Sequence, residues 1–318
     1  MLDRGLSLIL SEFTITERLL RSNFYTFMGY FITGVIARVL VHPLPPARFL
    51  HHVCLSIFGS LLYSYVFELA NQATSVPEDR VNKPHRPIPA GLLSKRQAYI
   101  RWIISWTLSP ALMHLFWSNR AAVYFTIWES WVTFVYVWPR YNHWVFRHAF
   151  VAGAVVLASR IHNEMASALT PKWDIPTWPD LVFGAWIFCS IHLQEFHDVD
   201  GDRVAKRRTL ALELTAKGRK RLRLATSVFL VVSSSVISLW TWSLCRLARG
   251  YVPMFTGGVH LCLACLMAVQ ILRSESKEMD RALYFGSYHS AGFTLVIHLA
   301  QLYCNIGKPA LLSLGIYR

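Results

Sequence analysis

Nine mostly apolar stretches of about twenty residues follow one another along this chain, near 24–42, 50–70, 98–118, 121–138, 148–168, 177–196, 224–246, 251–272 and 284–304. A helix of that length crosses the hydrocarbon of a bilayer. Inside lipid the backbone must also satisfy its own amides and carbonyls, which a helix does. The expected fold is therefore all-α, an integral membrane bundle of nine transmembrane helices. An apolar content of 54% over 318 residues and a mean hydropathy of +0.35 exclude an ordinary soluble domain. The fourth stretch is short. The fifth carries Arg160, His162 and Glu164, which are costly in hydrocarbon and are expected either to pair with one another or to face a cavity.

A formal net charge of +14 raises nucleic acid as a partner. The bases lie between the apolar runs and not along one amphipathic stripe, so topology and anionic head groups are the better account. With the odd stretches running outward, about 22 Lys and Arg fall on the side of the amino terminus and about 7 on the other. That bias puts the amino terminus and the two most polar loops in the cytosol, with the endoplasmic reticulum as the expected membrane. Trp117, Trp138, Trp173, Trp178 and Tyr251 sit near span ends, as an interfacial belt does. Residues 7–20 suit an interfacial amphipathic helix, and the early acids without a small-residue cleavage site argue against a removed signal peptide. Cys262 and Cys265 have no second pair at zinc spacing, so the six Cys are expected to be reduced structural thiols. One domain over 1–318 is expected, with the lipid bilayer as a partner, no nucleic acid and no obligate protein partner.

Two loops carry chemistry. The later one, QEFHDVDGDRVAKRRTL at 194–210, places Glu195, Asp198 and Asp202 at i, i+3 and i+7, one face of a helix if the segment is continuous. Carboxylates that close repel unless a cation sits among them, and oxygen donors without Cys or His suit Mg²⁺. The earlier loop, NQATSVPEDRVNKPHRPIPAG at 71–91, spaces Asn71, Ser75 and Asp79 by four. Pro77 is expected to interrupt the helix and leave Asp79 just beyond its end, with Glu78 less well placed. The metal-ligand candidates are Asn71, Ser75, Asp79, Glu195, Asp198 and Asp202, and all but Ser75 are also the catalytic candidates.

The bases have a separate role. Lys83, Arg86, Arg140, Arg207 and Arg208 are the candidates for gripping phosphate oxygens, Arg by a fork and Lys as a point charge. Arg86, held between prolines in HRPIP, leads. Metal and bases together assist a diphosphate as it leaves an allylic carbon. Phe125, Trp128, Trp131, Tyr136, Phe183, Trp186 and Phe196 offer ring faces to the cation left behind, though each also suits lipid contact or helix packing.

The two loops follow the second and sixth of the nine stretches, with an RPIPxG tail on the first and a DxxGD…RTL tail on the second. In this they resemble the UbiA superfamily of intramembrane prenyltransferases, most of all its fungal membrane-bound terpene cyclases. The resemblance implies a central cavity open to lipid, capped by the loops, which bind a prenyl diphosphate through Mg²⁺. Asn71 and Asp79 match the first motif, Asp198 and Asp202 the second, and Glu195 stands where Asp is more usual. Gln72 and Ser75 are neutral where members of the family carry acids. The implied activity is cyclisation of farnesyl diphosphate to a sesquiterpene, the alternative being prenyl transfer to an aromatic or quinone-precursor acceptor. A non-catalytic binder of lipid phosphate is the third reading, favoured by the neutral Gln72 and Ser75.

Overall fold

Every one of the nine apolar stretches falls on a helix in the computed structural model, which describes residues 2–41, 43–167, 177–248 and 251–313. They lie on α2 (Phe24–Val41), α3 (Pro46–Thr74), α5 (Lys95–Phe116), α6 (Asn119–Val132), α7 (Trp144–Ser167), α8 (Trp178–Ser190), α11 (Ala216–Ala248), α12 (Tyr251–Arg273) and α14 (His289–Ser313). An amino-terminal helix, α1 (Leu2–Leu20), precedes them, and α4 (Val76–Asn82), α9 (Val199–Val204), α10 (Leu210–Glu213) and α13 (Lys277–Leu283) connect them. Among the described residues there is no strand, only an isolated bridge between His143 and Arg208.

The chain is a multi-pass membrane protein. By length and composition, α3, α7, α11 through Trp240, and α12 suffice to cross a membrane, and α2 has a shorter apolar core at Phe24–Ala37. Others depart for local reasons: α5 carries Lys95, Arg96 and Arg101, while α6 and α8 have 14 and 13 residues before their turns loosen or tighten. Ile103, Leu115, Leu239 and Phe255 point outward, a placement that lipid tolerates and water does not.

Helix ends follow side-chain chemistry. Ser94 and Gln97 form a reciprocal capping box at the start of α5, and Ser118 caps α6. Helix α1 buries Ile15 and Leu19 and exposes Leu6, Ile9 and Phe13. Two apolar clusters then fill the bundle. One stacks Tyr63 on Trp128 with ring centres 4.1 Å apart; the other stacks Trp186 on Tyr288 at 5.1 Å. Between them α2, α3, α7, α8 and α14 leave a cavity.

Arg160, His162 and Glu164 do not form a group of their own. Arg160 pairs with Asp180 on α8 at 2.5 Å and Glu164 with Arg120 on α6 at 3.8 Å, so these charges tie α7 to its neighbours. His162 lines the cavity. Cys54, Cys189, Cys262 and Cys265 are free thiols. Trp173 and the side chains of Cys245 and Cys304 lie outside the described residues.

Candidate active site

Helix α3 runs to Thr74, and the N–H of Ser75 closes its last turn on the carbonyl of Asn71 at 2.9 Å. Pro77 does not simply break the helix. It sits in the first turn of α4, where its missing N–H leaves nothing unpaired, so Asp79 lies inside that helix and not beyond an end. The later loop is not one helix either. Residues 191–196 tighten into a 3₁₀ segment, Asp198 precedes α9, and Glu195 and Asp202 therefore do not share a face. What the sequence placed far apart does meet, because α9 lies against α4. A Cβ on Gly201 would stand 1.8 Å from Asn82 Nδ2, an approach only glycine permits.

Two arginines, Arg86 buried and Arg207 nearly so, organise the loops. Arg86 Nη1 donates to both carboxylate oxygens of Asp79 at 2.8 and 3.0 Å, and its Nη2 donates to Glu68 at 3.3 Å. Arg207 Nη1 donates to Asp202 at 2.9 Å and to Glu78 at 2.6 Å, while its Nη2 reaches Ser75 Oγ at 3.3 Å. Arg207 therefore joins the loops. Glu68 was not foreseen, although a lone acid inside the apolar run YSYVFELA was the available signal. Gln72 is explained by the same acid: its amide donates to Glu68 at 3.1 Å and to the carbonyl of Leu19 at 2.8 Å. A carboxylate there would face two acceptors and repel both.

The cavity, about 230 Å³, takes Asn71, Lys83, Arg86, Glu195, Asp198 and Arg207 of the sequence candidates into its lining, together with Glu78. A void of about 150 Å³ already holds benzene, so this one has room for a small apolar group. Ser75, Asp79 and Asp202 stand behind that lining, bonded to Arg207 or Arg86. Arg140 and Arg208 do not join it; Arg208 is 64% exposed and pairs with Glu213. Below the loops Trp128, Tyr136 and Phe183 reach the cavity wall, whereas Phe125, Trp131, Trp186 and Phe196 pack outside it. Tyr30, Tyr63, Phe67, Tyr284 and Tyr288 add to the aromatic wall, with Phe27, Phe31 and Phe150. Tyr136 and Tyr284 with Tyr288 come from two π-helical turns, 133–137 and 284–288, a distortion common where side chains are re-aimed at a site.

Burial governs the charges. It pushes the Asp79 carboxyl up to about 6 against the pull of Arg86, and raises Asp202 in spite of Arg147 and Arg207. Lost hydration, reinforced by Arg86, lowers Lys83. Asn71, Glu78, Gln194, Glu195 and Asp198 are among the hard oxygen donors that line the cavity, and Asp202 Oδ2 has no hydrogen-bond partner among the described residues. Among those residues no three His, Cys, Asp or Glu converge on one point. Mg²⁺ commonly takes only one or two carboxylates and completes its shell with substrate phosphate oxygens, so this donor set fits an ion that arrives with a diphosphate.

An all-helical membrane bundle with basic and acidic side chains at one end of an aromatic-lined cavity is the class defined by this geometry. The sequence model of the UbiA prenyltransferase family matches residues 30–291, and the chain belongs to that family. It is similar to diterpene cyclase eriG of Hericium erinaceus, 27% identical over 271 residues, 85% of this chain and 82% of that protein. It is also similar to polyprenyl transferase eriF of the same fungus, 26% identical over 76% of this chain and 77% of that one. The fold is shared with a solved structure concerning digeranylgeranylglyceryl phosphate synthase in membranes, with a TM-score of 0.61 at 15% identity, covering 92% of this chain and 98% of that one.

Proposed function

We propose that the protein is a Mg²⁺-dependent, membrane-embedded terpene cyclase that ionises an allylic prenyl diphosphate and closes the cation in the chamber beneath. The observation that carries this is the continuity of one cavity, from Lys83, Arg86, Arg207 and Asp198 at its roof to the rings of Tyr63, Trp128 and Tyr288. The cations bind the diphosphate and take up the charge that develops as it leaves. Ring faces stabilise the carbocation and exclude water. Asn71 and Asp198 would hold Mg²⁺, whose chemistry when bound is to neutralise the leaving group, while Glu78, engaged by Arg207 through both oxygens, fixes that arginine. Ser75, Asp79 and Asp202 act one layer back, by fixing Arg86 and Arg207.

Similarity to a diterpene cyclase supports geranylgeranyl diphosphate beside farnesyl diphosphate as a substrate to test. Nine spans, cytosolic loops, residence in the endoplasmic reticulum and an interfacial α1 complete the reading of 1–318 as one domain. Similarity to a polyprenyl transferase favours transfer to an aromatic acceptor as the second reading. Purified protein in detergent, given either diphosphate and Mg²⁺ without an acceptor, separates them. Cyclisation gives terpene and released diphosphate, both abolished by EDTA; transfer leaves the substrate intact until an aromatic acid is added. No release in either case overturns both.

A further inference from the structure

His148 stands at the roof of the cavity yet belongs to neither polar loop. It is buried in the second turn of α7 and its ring lines the cavity. Nε2 lies 3.2 Å from Glu195 Oε1, and the other oxygen of Glu195 accepts the N–H of Leu210 at 2.8 Å. Both oxygens are thereby engaged, which turns Glu195 away from the metal role expected of it and toward an imidazole. Trp144, Phe188 and His192 pack around that ring at centroid distances of 5.3, 5.9 and 5.8 Å. His192 is itself fixed by Thr226 at 2.7 Å. Nδ1 of His148 makes no hydrogen bond among the described residues.

A carboxylate on one ring nitrogen keeps the proton there and leaves a lone pair on the other, and it stabilises the imidazolium once formed. The other roof groups have other work: Lys83, Arg86 and Arg207 face the diphosphate, Asp198 is assigned to the metal, and Glu78 is held by Arg207. We infer that His148 is the catalytic base that quenches the carbocation, with Glu195 as its positioning residue. Nδ1 takes a proton from the carbon beside the cationic centre, the C–H electron pair becomes the new double bond, and the proton passes to water as product leaves. The inference rests on the proposed function, and it holds for cyclisation and prenyl transfer alike, since both leave a cation that must shed one proton.

The test compares wild type with His148→Ala, His148→Gln and Glu195→Gln in detergent, with farnesyl or geranylgeranyl diphosphate and Mg²⁺, with and without an aromatic acid. Two quantities are read: diphosphate release, and the ratio of wild-type product to water-trapped alcohol. In the His148 variants release stays within about tenfold of wild type while the ratio falls by on the order of tenfold or more. Glu195→Gln moves the ratio the same way by less. His148→Gln, close in size and still able to donate to Glu195, carries the test if the Ala variant does not fold. An unchanged ratio overturns the role of His148 and leaves the proposed function standing. A wild type that releases no diphosphate in any run overturns that function and His148 with it.

Discussion

Arg86 and Arg207 hold corresponding places in the two polar loops, each between two carboxylates, but their partners come from different distances. Arg86 takes Asp79 from its own loop and Glu68 from the helix that leads into it, and all three side chains are at most 1% exposed. Arg207 takes Asp202 from its own loop and Glu78 from the other, about 130 residues away. One arginine therefore shapes a loop and the other fastens two loops together. A buried cation between two anions is costly to assemble and costlier to leave incomplete. The same composition thus serves local folding in one loop and assembly of the site in the other.

The contrast is broken most directly at Arg86. Arg86→Ala leaves Glu68 and Asp79 buried without a counter-charge and is expected to cost about 3–5 kcal/mol, read as unfolding in mixed micelles; Arg86→Lys, lacking the fork, recovers only part. Arg207→Gln is expected to act on catalysis more than on folding, lowering kcat/KM by about 10². A double-mutant cycle with Glu78→Gln should give a coupling of about 0.5–3 kcal/mol; no coupling would mean that the cross-loop contact contributes nothing. Gly201→Ala pushes Asn82 aside and is expected to cost about 1–2 kcal/mol, a loss that Asn82→Ala relieves. Arg208→Ala sharpens the comparison from next door, because its exposed pair with Glu213 is worth less than about 1 kcal/mol and diphosphate release should not change.

Helix identity was legible because apolar length is written directly in residue type, as in 251–272, which the structure returns as Tyr251–Arg273. That both loops cap one cavity was expected only through the family resemblance carried by their two motifs. Orientation within the loops was not legible. The face shared by Glu195, Asp198 and Asp202 assumed a uniform turn, and the backbone tightens through 191–196 before restarting at Val199. Glu78 lines the cavity while Asp79 sits behind it, because Pro77 begins a helix instead of ending one. His148 and Glu68 escaped notice for a related reason. Neither belongs to a polar loop, and the role of each exists only through a partner 47 or 18 positions away.

The amide of Gln72 holds Glu68 with the same nitrogen that holds the last turn of α1 through Leu19. Any force that lifts the amino-terminal helix from its seat is therefore transmitted, through one side chain, to the carboxylate that steadies Arg86. A tag or fusion that pulls on α1 would therefore be felt at Arg86, and its effect should vanish when Gln72 is replaced by Ala.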